Sequence, residues 1–168
     1  ARHTGQIAFP GGRLDPGETA VQAALREADE EVALNPAAVE VLGLSDAYET
    51  GTGFLVTPVI GWLDQPPLTR PSPDEVAEVF ETPWDFLMDA ANHRRDFYDL
   101  EDGLRRWFWA MPWQERYIWG VTAGILRNLY ERIYAAIKFF LYTMFGSLLM
   151  LVAIIWLGAY AASLPGGA

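Results

Sequence analysis

Three glutamates, Glu27, Glu30 and Glu31, are the residues of this chain best placed to do chemistry. On a helix the spacing i, i+3, i+4 puts their carboxylates on one face. Like charges so close cost stability unless something positive sits among them. Mg²⁺ and Mn²⁺ prefer all-oxygen ligands, and a rigid helix presenting carboxylates is one way to build a site for them. An acidic run on a helix is, taken alone, more commonly a solvated face. Here the run Arg26-Glu27-Ala28-Asp29-Glu30-Glu31 is tied by fixed spacing to Gly12 and Glu18, and it follows a glycine-rich turn that lets a ligand approach the backbone.

Residues 12–34 resemble the Nudix box, Gly-x5-Glu-x7-Arg-Glu-U-x-Glu-Glu-x-Gly-U with U aliphatic, at Gly12, Glu18, Arg26, Glu27, Glu30, Glu31 and Leu34. The family's second glycine is Ala33 here. Glycine commonly supplies a left-handed residue after a helix, and alanine there costs on the order of 1 kcal/mol. The resemblance implies a metal-dependent hydrolase. Glu27, Glu30 and Glu31 are the expected ligands of Mg²⁺ or Mn²⁺, with the main-chain carbonyl of Gly12 as a further ligand. Glu30 and Glu31 are the expected catalytic carboxylates, Glu30 as a further ligand or as the base. Glu18 and Arg26 are expected to pair and hold the loop against the helix. Phe9, Gly11 and Gly12 are the expected substrate contacts. The implied reaction is attack of a metal-activated water on a phosphorus of a pyrophosphate. Outside the box, Glu75 and Glu78 are candidates for one more acidic group, set against the plainer reading of a solvated strand edge.

The flanks are similar to those of the coenzyme A diphosphatases. The similarity lies in residues 3–15 (His-Thr-Gly-Gln-Ile-Ala-Phe-Pro-Gly-Gly-Arg-Leu-Asp), in Thr52 to Val59, in Pro73 to Phe80 and in Tyr117 to Ala123. It implies cleavage of coenzyme A to 3′,5′-ADP and 4′-phosphopantetheine. ADP-ribose, dinucleoside polyphosphates and a non-catalytic nucleotide-binding role remain alternatives. The family pattern places an Arg where Ala1 stands. Family members also carry additional strands ahead of this region, so the chain reads as N-terminally incomplete.

The elements that must position these residues follow from periodicity and breakers. Gly5 to Phe9 is expected to be a short strand and Glu18 to Val32 a helix, with Val21, Ala24, Leu25, Ala28 and Val32 as its apolar stripe. Strands are expected over 39–48 and 54–63, joined by the Thr-Gly-Thr-Gly turn at 50–53, and over 75–81. A short helix is expected over 84–91, a hairpin from 96–100 and 106–110, and a helix over 115–138 with apolar residues at 118, 121, 125, 129 and 133. Interleaved strands and helices indicate an α/β or α+β sandwich; the family's version is an α/β/α sandwich around a mixed sheet.

Composition bounds the rest. Of 168 residues none is cysteine, which removes disulfides, zinc–thiolate sites and cysteine nucleophiles. A net charge of −10 argues against a nucleic-acid partner; it also sits badly with the anionic small-molecule substrate that the resemblance implies, a conflict that disappears if carboxylates hold divalent cations. All charge lies within residues 1–138, read as the catalytic domain; residues 139–168 carry none. Residues 139–162 could span roughly 36 Å as a helix, against about 30 Å for a bilayer core. Arg127, Arg132 and Lys138 stand just before this stretch, which keeps the preceding domain in the cytoplasm at the inner face of a membrane. The competing readings are a buried core helix of a larger protein or a hydrophobic stretch from a misjoined reading frame.

Overall fold

A computed structural model of the chain describes residues 6–101 and 103–163. By its contacts the chain divides after Tyr130 into two units. The first holds helix α1 (Ala20–Val32), strands β1 (Glu40–Leu44), β2 (Tyr48–Glu49), β3 (Leu55–Val56) and β4 (Val59–Trp62), helix α2 (Trp84–Leu87), and strands β5 (Arg94–Asp99), β6 (Arg105–Trp113) and β7 (Arg116–Trp119). Helix α3 (Gly120–Ser163) begins in the first unit and makes up most of the second.

Helix α1 starts two residues later than its periodicity suggests, because Thr19 caps it. The Thr19 hydroxyl accepts from the Gln22 N–H at 3.3 Å, and the Gln22 side chain accepts from the Thr19 N–H at 2.9 Å. This reciprocal capping box satisfies two otherwise orphaned donors. The helix ends at Val32. Ala33 takes up left-handed angles (φ 55°, ψ 34°), its N–H donating to Asp29 O at 2.9 Å and the Leu34 N–H to Ala28 O at 3.1 Å. The position where the family carries glycine is therefore left-handed, as expected, and the last carbonyls are satisfied despite the alanine. Of the anticipated stripe, Ala28 and Val32 are buried, together with Ala23.

Residues 39–63 form one long hairpin in two pieces. β1 pairs with β4 and β2 with β3, both antiparallel, around the turn where Gly53 has a φ of 82°. The two expected long strands are each interrupted. Pro58 has no N–H for the ladder, and only its carbonyl engages, accepting from Ser45 N at 2.9 Å. The hairpin at 94–113 forms as anticipated and extends into a third strand, β5-β6-β7.

Four expectations fail. Residues 6–9 are not a strand (Gly5 lies outside the described residues); the Ile7 carbonyl accepts from the Thr122 hydroxyl at 2.8 Å rather than from a neighbouring strand. Residues 75–81 are not a strand either, because the Ser72 carbonyl draws in the N–H groups of Glu75 and Val76 and bends the chain into a turn. The helix expected from 115 begins at Gly120: residues 116–119 alternate and pair with β6, and Gly120 (φ 65°) redirects the chain. The short helix expected over 84–91 stops at Leu87, with one 3₁₀ turn at Ala90–Asn92. Among the described residues all ladders are antiparallel and fall into three small sheets, so the mixed sheet is not formed.

The core of the first unit gathers Met111, Ile118, Ala123 and Leu126, with Ile7, Phe86, Leu87, Met88 and Trp109 packed around it. Burial around the start of α3 runs through consecutive residues 122–126 rather than along one stripe, because strand and loop side chains surround these turns. Gly124 lets Tyr48 come close: a Cβ there would overlap the phenol ring. His93 is buried in the same unit. Its Nε2 lies 2.8 Å from the Leu87 carbonyl, an acceptor only, so Nε2 carries the proton, and Nδ1 accepts from Arg127 at 3.3 Å. Tyr130 meets the imidazole edge-on at 5.2 Å, which makes this histidine part of the packing.

Candidate active site

The loop before α1 and the acidic face of α1 are held together by one guanidinium. Arg26 forks onto Glu18, Nε to Oε1 at 2.9 Å and Nη2 to Oε2 at 3.1 Å, and Nη2 also donates to the Arg13 carbonyl at 3.1 Å. Glu18 in turn accepts from the Asp15 N–H at 2.9 Å, closing the turn in which Gly17 has a φ of 84°. Arg26 Nη1 donates to Glu27 Oε1 at 2.9 Å and to Glu30 Oε2 at 3.1 Å. The hydrogen bond from Arg26, then that from the Asp15 backbone, holds the Glu18 carboxyl below the usual range; the bonds to Glu18 and then Glu27 push Arg26 far above its own.

Of the three carboxylates on α1, Arg26 therefore serves two, Glu27 and Glu30, and leaves the third. Glu31 is half-buried, and no basic side chain pairs with it among the described residues. Burial raises its pKa first, then the charge of Glu27, then those of Glu75 and Glu30; a hydrogen bond from the Gly11 backbone opposes them. The double glycine fits against this pair of carboxylates. Gly11 bonds Glu31, and a Cβ on Gly12 would overlap the Glu27 carboxylate. Close approach therefore favours glycine at 12, whereas a Cβ at 11 would meet open space; neither has a positive φ.

Glu75 reaches this group through the loop 66–76, which is docked on the end of α1. Arg70 N donates to Val32 O and Ser72 N to Glu31 O, both at 2.8 Å. Glu78, which lines one cavity with Glu31, is ion-paired with Arg116, whose guanidinium lies 4.4 Å over the Phe80 ring. Glu75 and Glu78 could not be separated from sequence, because the turn at 72–76 that parts them has no periodic signal. Arg116 itself was missed, as it stood inside an expected helix.

Phe9 is exposed, and with Glu31, Val76, Val79, Phe80 and Leu87 it lines a cavity of about 220 Å³. Val79, Phe80 and Thr82 also border a wider, open groove of about 910 Å³ that continues to Trp62 and Pro66. A largely apolar recess thus adjoins a carboxylate that has no basic partner among the described residues. Glu30 is turned to Arg26, with its side chain 58% exposed.

These residues fit a hard divalent cation in their chemistry. The donors are carboxylate and main-chain oxygens, and Glu27, Glu31 and Glu75 bear on one another electrostatically. Among the described residues no three acidic or histidine side chains converge as tightly as ligands on one ion.

Residues 1–100 match the NUDIX domain, and the chain belongs to the Nudix hydrolase family. It is a pyrophosphohydrolase acting on a nucleotide-linked small molecule, in a family that generally uses divalent metal. Three similar proteins, each named Uncharacterized Nudix hydrolase NudL, come from Escherichia coli O6:H1, Escherichia coli K12 and Shigella boydii serotype 4. They are 46%, 45% and 46% identical over 131 residues, which is 76% of this chain and 67% of each relative.

Proposed function

We propose that this chain hydrolyses the pyrophosphate of coenzyme A or its acyl derivatives, releasing 3′,5′-ADP and (acyl-)4′-phosphopantetheine. The observation that carries the reading is Glu31, a carboxylate without a basic partner among the described residues, set between the glycine turn and an apolar recess. The recess suits the uncharged arm of such a substrate, and the turn suits its phosphates. The flanking segments similar to coenzyme A diphosphatases, at 3–15, 52–59, 73–80 and 117–123, support the same substrate.

Glu27 and Glu31, with the Gly12 carbonyl and Glu75 beside them, are the residues that would hold Mg²⁺ or Mn²⁺. A divalent ion there supplies charge neutralisation at the phosphates and acidifies a bound water. The chain's own contribution is positional. Arg26 fixes Glu27 from one side and Glu18 from the other, so the loop bearing Gly11 and Gly12 cannot drift from the helix. Burial and the neighbouring like charges favour the protonated form of Glu31, and a divalent cation held there would offset them and keep it ionised. Glu30, held by Arg26, screens the outer side of the cluster. Phe9 and Phe80 keep the recess apolar.

The test is hydrolysis of coenzyme A by the full chain, with 3′,5′-ADP measured by chromatography. Activity should need Mg²⁺ or Mn²⁺ and stop in EDTA. Glu31→Gln should lose on the order of 10²- to 10⁴-fold in rate with the fold retained. Faster turnover of ADP-ribose or dinucleoside polyphosphates than of coenzyme A would replace the substrate. Undiminished activity of Glu31→Gln would overturn the assignment of the site.

A further inference from the structure

The second unit contains a surface that the hydrolase site does not use. From Phe139 to Tyr160 helix α3 carries no charged residue, and its large apolar side chains are 44–73% exposed. Consecutive residues, Leu148 to Val152, are all exposed, so apolar surface faces every direction around the axis. A helix that docks in a soluble coiled coil or on a protein groove shows one apolar stripe and a polar remainder; a helix apolar all round is enclosed by a core or by lipid. None of this stretch is buried within the chain, which removes the core reading among the described residues. Its place after the catalytic unit also separates it from an N-terminal signal segment.

The two ends of the stretch are built differently from its middle. At the first end Lys138 lies between two tyrosines one turn away on either side, its ammonium 5.8 Å from the ring centres of both Tyr134 and Tyr142. At the other end Trp156 and Tyr160 stack at 5.4 Å, nearly parallel. Tyrosine, tryptophan and a lysine with a long apolar stem favour the layer between hydrocarbon and water. Between Lys138 and Tyr160 the rise is roughly 33 Å, close to the ~30 Å of a hydrocarbon core. An aromatic pair thus sits at each end of a charge-free rod of membrane thickness.

We propose that residues 139–160 cross a lipid bilayer, with Tyr134, Lys138 and Tyr142 at one interface and Trp156 and Tyr160 at the other. Arg127, Arg132 and Lys138 place the first interface on the cytosolic side. The hydrolase unit, which precedes them, is on that side too. The occupant of the exposed apolar surface is lipid, and it is integral rather than peripheral, since no polar face is left to lie along a membrane surface.

The test reads membrane partition and not hydrolysis, so it stands or falls apart from the substrate assignment. Full chain reconstituted with phosphatidylcholine–phosphatidylglycerol vesicles should float with them in a density gradient and stay with them after carbonate at high pH. Leu149→Arg combined with Val152→Arg should shift the protein out of the floating fraction while the near-ultraviolet dichroism of the first unit is kept. The chain has no cysteine, so single-cysteine variants report sidedness directly. In bacterial cells, Glu131→Cys should be shielded from an impermeant maleimide and Ser163→Cys labelled. Release by carbonate, a detergent-free soluble oligomer, equal flotation of the double-arginine variant, or the reverse labelling pattern would each overturn the proposal.

Discussion

Replacing Ala33 by glycine should stabilise the first unit, and the gain can be worked from one pair of backbone angles. Ala33 sits at φ 55°, ψ 34°, where an L-residue pays roughly 1–2 kcal/mol because its Cβ crowds the following carbonyl. Glycine removes that cost but adds about 0.4–1 kcal/mol of unfolded-state entropy. The difference is a net gain of about 0.5–1 kcal/mol. The bonds from Ala33 N to Asp29 O and from Leu34 N to Ala28 O are main-chain and survive the change. With an unfolding entropy of about 2.1 cal/mol/K per residue, a unit of some 130 residues should gain roughly 2–4 °C in Tm. Thermal melts of the full chain in a mild detergent, followed by near-ultraviolet dichroism, would measure it. Ala33→Val serves as the opposite control, since a β-branched residue is worse in this region. An unchanged or lowered Tm for Ala33→Gly, or no loss for Ala33→Val, would refute the left-handed assignment and the origin of the cost.

Further outcomes follow from the site. Gly12→Ala should leave stability nearly unchanged, because the end of Glu27 can swing aside, but the displaced carboxylate should cost about 100-fold in kcat/KM. Arg26→Gln should weaken activation by Mg²⁺ about 10- to 100-fold in a metal titration and lower Tm, since Glu18 and Glu27 lose their shared donor. Tyr117→Phe should lower stability near neutral pH and flatten its dependence on pH at both ends. The Tyr117 hydroxyl, 2.8 Å from Asp96 Oδ2, is the largest cause of that carboxyl's lowered pKa, a stabilisation present above the unfolded value and lost as pH falls through the folded one. Tyr117 is itself raised, by burial first and then by Asp96, so its share is complete below its unfolded pKa and lost as alkaline pH climbs through the folded one. Denaturant titrations should show the largest gap between variant and parent near pH 7, shrinking as pH falls below about 4 and as it rises above about 10.

The sequence by itself determined the local and periodic features. The acidic face of α1, the left-handed position at Ala33, the turn at 50–53 and the hairpin at 94–113 each follow from residues within a few positions of one another. The charge-free stretch after Lys138 is likewise a property of composition. Tertiary structure decided whatever depended on partners distant in the chain. Residues 6–9 have strand-like alternation, but Thr122 on α3 takes the Ile7 carbonyl. Residues 75–81 alternate as well, but Ser72 bends them where the loop docks on Glu31 and Val32. Residues 116–119 could join either helix or strand until β6 offered a ladder. The same holds within the site. Spacing put Glu27, Glu30 and Glu31 on one face, yet it could not say which of them Arg26 would neutralise. That division depends on where a guanidinium at the end of a long side chain meets Glu18 across the loop, and on Glu75 arriving from 44 residues beyond Glu31. Electrostatic partners act through space, and only the folded chain sets those distances.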